Sequence, residues 1–163
     1  MWCRHFLDSA QIFSLLPPET KNILDIGSGA GFPGLILALM GAKNVTLVES
    51  DTRKCMFLQE VLRETNSVAN IENCRIEGFT KSSFDVVTAR ALAPLDKLLV
   101  YVQPYFWPGT LGIFPKGRQY GSELSSAKKR WQLKYSLVPS VTDTSGAIIV
   151  VEEIIGGPTK NNL

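Results

Sequence analysis

Chemistry in this chain concentrates on a few charged side chains and one glycine-dense turn, each set at the end of a short apolar run. Asp25 precedes Gly27-Ser28-Gly29-Ala30-Gly31-Phe32-Pro33-Gly34, Glu49 closes the next apolar run, Arg90 follows Phe84 to Ala89, and Lys116 lies just past Leu111 to Phe114. Gly27, Gly29 and Gly31 let the backbone turn sharply and approach a ligand more closely than any residue bearing a Cβ. Gly29 to Gly34 also spells G-x-G-x-x-G, a pattern open to both a nicotinamide dinucleotide and S-adenosylmethionine (SAM). Asp25 favours the second, because a carboxylate at a strand end repels a pyrophosphate and attracts the amino and sulfonium cations of SAM. Pro33 points the same way, since it lacks the backbone N–H that a pyrophosphate would take from a helix start.

Glu49 occupies the place where an acid receives ribose hydroxyls in nucleotide-binding α/β folds, the alternative being an exposed strand-end acid. Ile76 and Glu77 are expected to end the third strand beside the same crevice, offering an apolar contact and an acceptor to an adenine. Arg90, at the carboxyl end of the fourth strand, suits a carboxylate or a phosphate, or else a salt bridge to Asp85 or another local acid. Lys116, followed by Gly117 and Arg118, is placed to meet a substrate phosphate, with a solvated loop lysine as the competing reading. Lys128-Lys129-Arg130-Trp131, with Lys134 and Tyr135, mixes cations with aromatics as single-strand RNA contacts do. The plainer reading, a solvated helix face with Trp131 and Tyr135 in the core, is preferred. His5 reads as a hydrogen-bonded structural residue, and no nucleophile and base stand paired in the sequence.

The elements that must hold these residues alternate. Asn22 to Ile26, Val45 to Glu49, Ile71 to Ile76, Phe84 to Ala89 and Leu111 to Phe114 read as strands, separated by helix-like Leu35 to Met40, Thr52 to Thr65 and Pro94 to Val102. Leu58, Val61, Leu62 and Thr65 fall on one helical stripe, so the segment from Thr52 is an amphipathic crossover. Ser122 to Trp131 is helical and basic, and Gln132 to Val138 with Ala147 to Ile154 form a closing strand pair around Thr142 to Gly146. Arg4 to Ser9 begins an amphipathic helix. The whole predicts an α/β fold: a Rossmann-like, mostly parallel seven-stranded sheet with helices on both faces, as in class I SAM-dependent methyltransferases.

Composition agrees with one domain over residues 1–156 and a loose tail over 157–163: the chain has 163 residues, 45% of them hydrophobic and 20% charged. Its apolar runs fall far short of the ~20 residues of a membrane span, and no signal-peptide layout is visible, so a cytoplasmic protein is expected. Three cysteines without metal-like spacing and a single histidine argue against a disulfide framework or a zinc site. A net charge of +2 is too small to mark a nucleic-acid protein by itself.

"RHFLDS" at Arg4 to Ser9, "GSGAGFPG" at Gly27 to Gly34, "FDVVTARAL" at Phe84 to Leu92 and "KG" at Lys116-Gly117, in that order, resemble the RsmG (GidB) family over almost the whole chain. The resemblance implies a class I SAM-dependent methyltransferase acting on N7 of one guanine in the 530 loop of bacterial 16S rRNA, as naked RNA or in the small subunit, and working as a monomer. It further implies that Gly27 and Phe32 line the methionine and ribose region, Ile76 and Glu77 the adenosine, and Arg90 the cofactor or target side. Family members usually carry a few dozen residues ahead of "RHFLDS", which would add RNA contacts or a pocket-covering helix. Guanine N7 is nucleophilic in its neutral form, so no general base is needed. Two other readings stand beside this one: an NAD-dependent oxidoreductase, and a catalytically silent, ribosome-associated SAM-binding module.

Overall fold

The computed structural model describes residues 2–80 and 83–158, the first two of these in backbone only. Seven strands form one sheet in the order β3-β2-β1-β4-β5-β7-β6: β1 Ile23–Ile26, β2 Val45–Val48, β3 Asn70–Glu72, β4 Val86–Thr88, β5 Leu111–Lys116, β6 Gln132–Pro139 and β7 Ala147–Gly156. β1 to β5 pair in parallel, and β7 enters antiparallel between β5 and β6. The expected closing hairpin is therefore present, inserted so that its last strand lies inside the sheet.

Strand side chains alternate between two cores, which is why the parallel strands read as continuous apolar runs. Ile23, Val45, Leu47, Val86 and Ile113 face a layer holding α1 (Trp2–Leu15), α2 (Gly34–Leu39) and α3 (Thr52–Glu64). Leu24, Ile26, Val48, Val87 and Phe114 face α4 (Leu95–Val102) and α5 (Tyr120–Ala127). Asp51 caps α3, its carboxylate accepting from Arg53 N at 2.8 Å and Lys54 N at 3.3 Å, so the crossover starts where a cap sits in the sequence.

Two expected elements differ. β3 ends at Glu72 rather than running to Ile76, because the Asn73 amide turns back to donate to Glu49 O at 3.0 Å and Ser50 O at 3.2 Å. Ile76 and Glu77 consequently sit in a 3₁₀ turn, Ile76–Gly78, not at a strand end. The basic run Lys128 to Arg130 lies beyond the end of α5, as an exposed turn leading into β6. Trp131 is buried as the plainer reading expected, and Lys128 Nζ lies 5.8 Å above the Tyr135 ring. Because α5 runs away from the carboxyl end of β5, this cluster sits at the opposite edge of the sheet from the site described below. β7 ends at Gly156, and the exposed Gly157 that follows abuts the Trp131 ring. Residues 159–163 lie outside the described residues.

Candidate active site

β1 is flanked by β2 on one side and β4 on the other, and the chain crosses over in opposite directions from this point. Such a switch opens a crevice at the strands' carboxyl ends. A cavity of about 840 Å³ fills it, walled by the glycine turn, Glu49, the 3₁₀ turn, Arg90 and His5. A second cavity of about 450 Å³ adjoins it and shares Arg90, Ala91 and Leu92.

The glycine turn is fastened to the end of β2: Gly27 N and Ser28 N both donate to Val48 O, at 2.9 and 3.1 Å. Glu49, only 7% exposed, accepts from Gly29 N with Oε2 and from Asp51 N with Oε1, each at 2.8 Å. A carboxylate oxygen takes two hydrogen bonds, so Glu49 is oriented by the backbone and keeps acceptor capacity toward the cavity. Gly29 has φ +56° and an added Cβ would meet nothing closer than Gly27 O at 3.8 Å. That bare backbone facing the cavity fits a ligand lying against the turn.

Asp25 does not line the cavity. It is fully buried beneath the turn, with Oδ2 accepting from Gly34 N at 3.2 Å and Oδ1 without a partner. Burial pushes its carboxyl up to about 7, hydrogen bonds from Ser28 and Gly34 oppose that, and the Glu49 charge adds to it. The contact with a cationic cofactor expected of Asp25 is therefore absent, and the side chain supports the turn from beneath. The same bond consumes the first amide of α2, and Pro33 supplies none, which leaves a pyrophosphate little to bind and counts against a dinucleotide. Gly31 is likewise below the surface, tight against Leu35 and Leu58.

Ile76 and Glu77 do line the cavity, and Tyr105 anchors their turn by donating to Ile76 O at 3.1 Å and to Phe79 O. Opposite them, Phe32 packs between two side chains of α1, with ring centroids 5.3 Å from His5 and 5.4 Å from Phe6. Arg90 stands where the cavities meet. Its Nη2 contacts His5 Nδ1 at 2.7 Å and Asp8 Oδ2 at 3.2 Å, while Nη1 is buried with no hydrogen-bond partner among the described residues. The competing reading of Arg90, an ion pair, is present, but with Asp8 and not Asp85, which instead accepts from the Lys21 and Asn22 amides, at 2.8 Å each. Burial pulls the Arg90 guanidinium below its ordinary value, and Asp8 opposes that shift.

Lys116 departs from expectation. Its Nζ donates to Ala93 O at 2.7 Å and pairs with Glu123 Oε2 at 2.8 Å, leaving the side chain 8% exposed. Glu123 Oε2 also accepts from Leu95 N at 3.0 Å. Lys116 and Glu123 together brace the 91–94 loop, whose Leu92 lies directly over Gly27. The ammonium is thus held on Ala93 and Glu123 at the wall of the second cavity, and is not the free loop cation that the competing reading described.

His5, Lys54, Leu92 and Tyr101 line the cavity without having been singled out as site residues. Position within "RHFLDS" was the only sequence signal for His5, and nothing local marked the others. Arg4 and Asp8 of the motif, with Gln11 beyond it, bind α1 to the end of β6 and the turn that follows: Arg4 pairs with Asp143, Asp8 accepts from Thr142 Oγ1, and Gln11 joins Pro139 O and Val141 N.

Known proteins agree with this architecture. The family profile described as GidB, rRNA small subunit methyltransferase G, matches residues 1–149. The ribosomal RNA small subunit methyltransferase G of Paramagnetospirillum magneticum is 48% identical over 157 residues, covering 96% of this chain and 77% of that protein. Its counterpart from Rhodospirillum centenum is 47% identical over 154 residues, covering 94% and 71%. Among solved structures, a TehB-like SAM-dependent methyltransferase from Corynebacterium glutamicum shares the fold, with a TM-score of 0.67 at 17% identity over 90% of this chain and 87% of that one. Among the described residues, no helix is long and apolar enough to cross a membrane.

Proposed function

The chain belongs to the rRNA small subunit methyltransferase G (GidB) family, and from that premise we propose that it transfers a methyl group from SAM to N7 of a guanine in the 530 loop of 16S rRNA. The observation that carries this reading is the polarity of the main cavity. One end holds the backbone-oriented Glu49 and the 76–78 turn, and the other holds Arg90 with a buried, unpartnered nitrogen.

SAM supplies the electrophilic methyl group on its sulfonium. Glu49 accepts from the ribose hydroxyls, Ile76 and Glu77 meet the adenine, and Gly27, Gly29 and Phe32 line the methionine and ribose region. Asp25 and Gly31 support the turn from beneath. Arg90 presents its guanidinium where the two cavities meet, to a guanine carbonyl or a phosphate of the RNA, and Lys116 keeps the 91–94 loop in place so that Leu92 covers the turn. N7 attacks with its own lone pair, so the chain's task is to align it with the methyl group and keep water out, which is where intramolecular reactions gain most of their rate. No side chain has to remove a proton. A small-subunit ribosomal particle or its naked 16S rRNA is the partner.

The test is transfer of labelled methyl groups from SAM to 16S rRNA and to 30S particles that lack the modification, followed by mapping of the labelled base. Label on N7 of one guanine in the 530 loop is the expected outcome. Label on another atom or base, or none on either substrate, overturns the reading.

A further inference from the structure

We infer that His5 reads the methyl-accepting base, offering its Nε2–H to a carbonyl oxygen of that base while Arg90 fixes the ring's tautomer. This rests on the guanine-N7 reading above and names the residue that would select guanine there. A guanidinium has donors and no acceptor, so the 2.7 Å contact from Arg90 Nη2 makes His5 Nδ1 an acceptor and puts the ring proton on Nε2. Nε2 has no hydrogen-bond partner among the described residues, and His5 lines the main cavity near Phe32 and Arg90, across from the Ile76–Glu77 end. The ring itself is met by Phe32 and by Arg90, and its neighbours are fixed in turn. Phe32 packs on it, Ser9 Oγ donates to its backbone carbonyl at 2.8 Å, and Asp8, on the same helix, holds Arg90 from below.

The donor matches one purine. Guanine presents O6 beside N7 as two acceptors, whereas adenine presents an amino group beside N7. An N–H aimed at O6 therefore accepts guanine and confronts adenine with donor against donor, and it leaves the N7 lone pair free. Neutrality matters as well, because the incoming sulfonium and the methylated purine are both cationic. Burial and the adjacent Arg90 hold the imidazole below its ordinary pKa, with Asp8 opposing and Arg4 reinforcing. The charges at this wall stand in pairs, Arg90 with Asp8 and Arg4 with Asp143.

Three chains test the inference: wild type, His5→Asn, whose amide reaches only the Nδ1 position, and His5→Gln, whose amide reaches the Nε2 position. Methyl transfer to 30S particles, SAM calorimetry and nitrogen-detected NMR of the imidazole are measured. The wild-type ring is expected as the Nε2–H tautomer. His5→Asn is expected to lose roughly 10- to 100-fold in kcat/KM, the range for one positioned donor, with SAM affinity within about twofold. His5→Gln is expected to recover most of the loss. An Nδ1–H tautomer, wild-type turnover by His5→Asn, or a parallel fall in SAM affinity and rate overturns the inference alone. Failure of the wild-type chain to methylate the particle overturns the function reading, and this inference with it.

Discussion

The two walls of the main cavity are built by different means. Around the glycine turn, positions are fixed by main-chain groups converging from adjacent strand ends: Val48 O receives two amides, and Glu49 receives two more. Across the cavity, positions are fixed by side chains drawn from both ends of the chain, with Arg90 on His5 and Asp8, Asp8 on Thr142, and Arg4 on Asp143. A wall of backbone is intolerant of added volume. A wall of paired side chains tolerates volume but fails when one partner loses its charge or its proton.

The sharpest way to break the first wall is Gly34→Ala. Its Cβ would stand 2.5 Å from both Asp25 and Leu47 Cδ2, so a destabilisation of about 3 kcal/mol is expected, seen as a lowered melting temperature with loss of SAM binding in calorimetry. The matching blow to the second wall is Arg90→Met, which keeps bulk but strands the mostly buried Asp8 carboxylate. Methyl transfer should fall by ~100-fold or more while SAM affinity stays within a few-fold, since breaking one partner of such a pair costs about 2–5 kcal/mol. If SAM affinity falls as far as transfer does, the two walls are not separable.

A smaller effect separates charge from volume inside the first wall. Asp25 titrates near 7 in the fold against 3.8 in the reference state, so between those values the folded chain keeps a proton that the unfolded chain has released. Stability must then fall as pH rises from about 4 to about 7 and level off above. Asp25→Asn, an uncharged group of the same shape, should flatten the melting temperature measured between pH 5 and 7.5; a slope as steep as the wild type's would assign the titration elsewhere. Smallest is Arg4→Ala. Its pair with Asp143 is half exposed on the arginine side, so thermal melting should barely move, by about a degree or two. A large drop would show that α1 depends on that one link.

Legibility in the sequence followed the same division. β1, the glycine turn, β2 and α3 are local, and their apolar periodicity and caps made them readable; the seven-stranded sheet followed from the alternation. Glu49, Ile76 and Glu77 reached the cavity as expected, although Asn73 ended β3 early through a side-chain bond that no propensity encodes. On the second wall, what mattered was a partner. Lys116 read as a phosphate contact because neither Glu123 nor Ala93 O can be known as its neighbour without the fold. His5 read as a hydrogen-bonded structural residue, and that bond is present, but its partner Arg90, 85 positions away, could not be named from the sequence. Asp25 misled in a third way, since its type and place were right for a cation but its side chain turns under the loop toward α2.

The stitching of α1 to the 140–146 turn also carries a consequence for synthesis. The helix leaves the ribosome more than a hundred residues ahead of its partners, and its ties to Asp143, Thr142 and Pro139 exist only once those residues have emerged. Until then the glycine turn and β1 to β4 can form, but the wall that would receive a base lacks its backing.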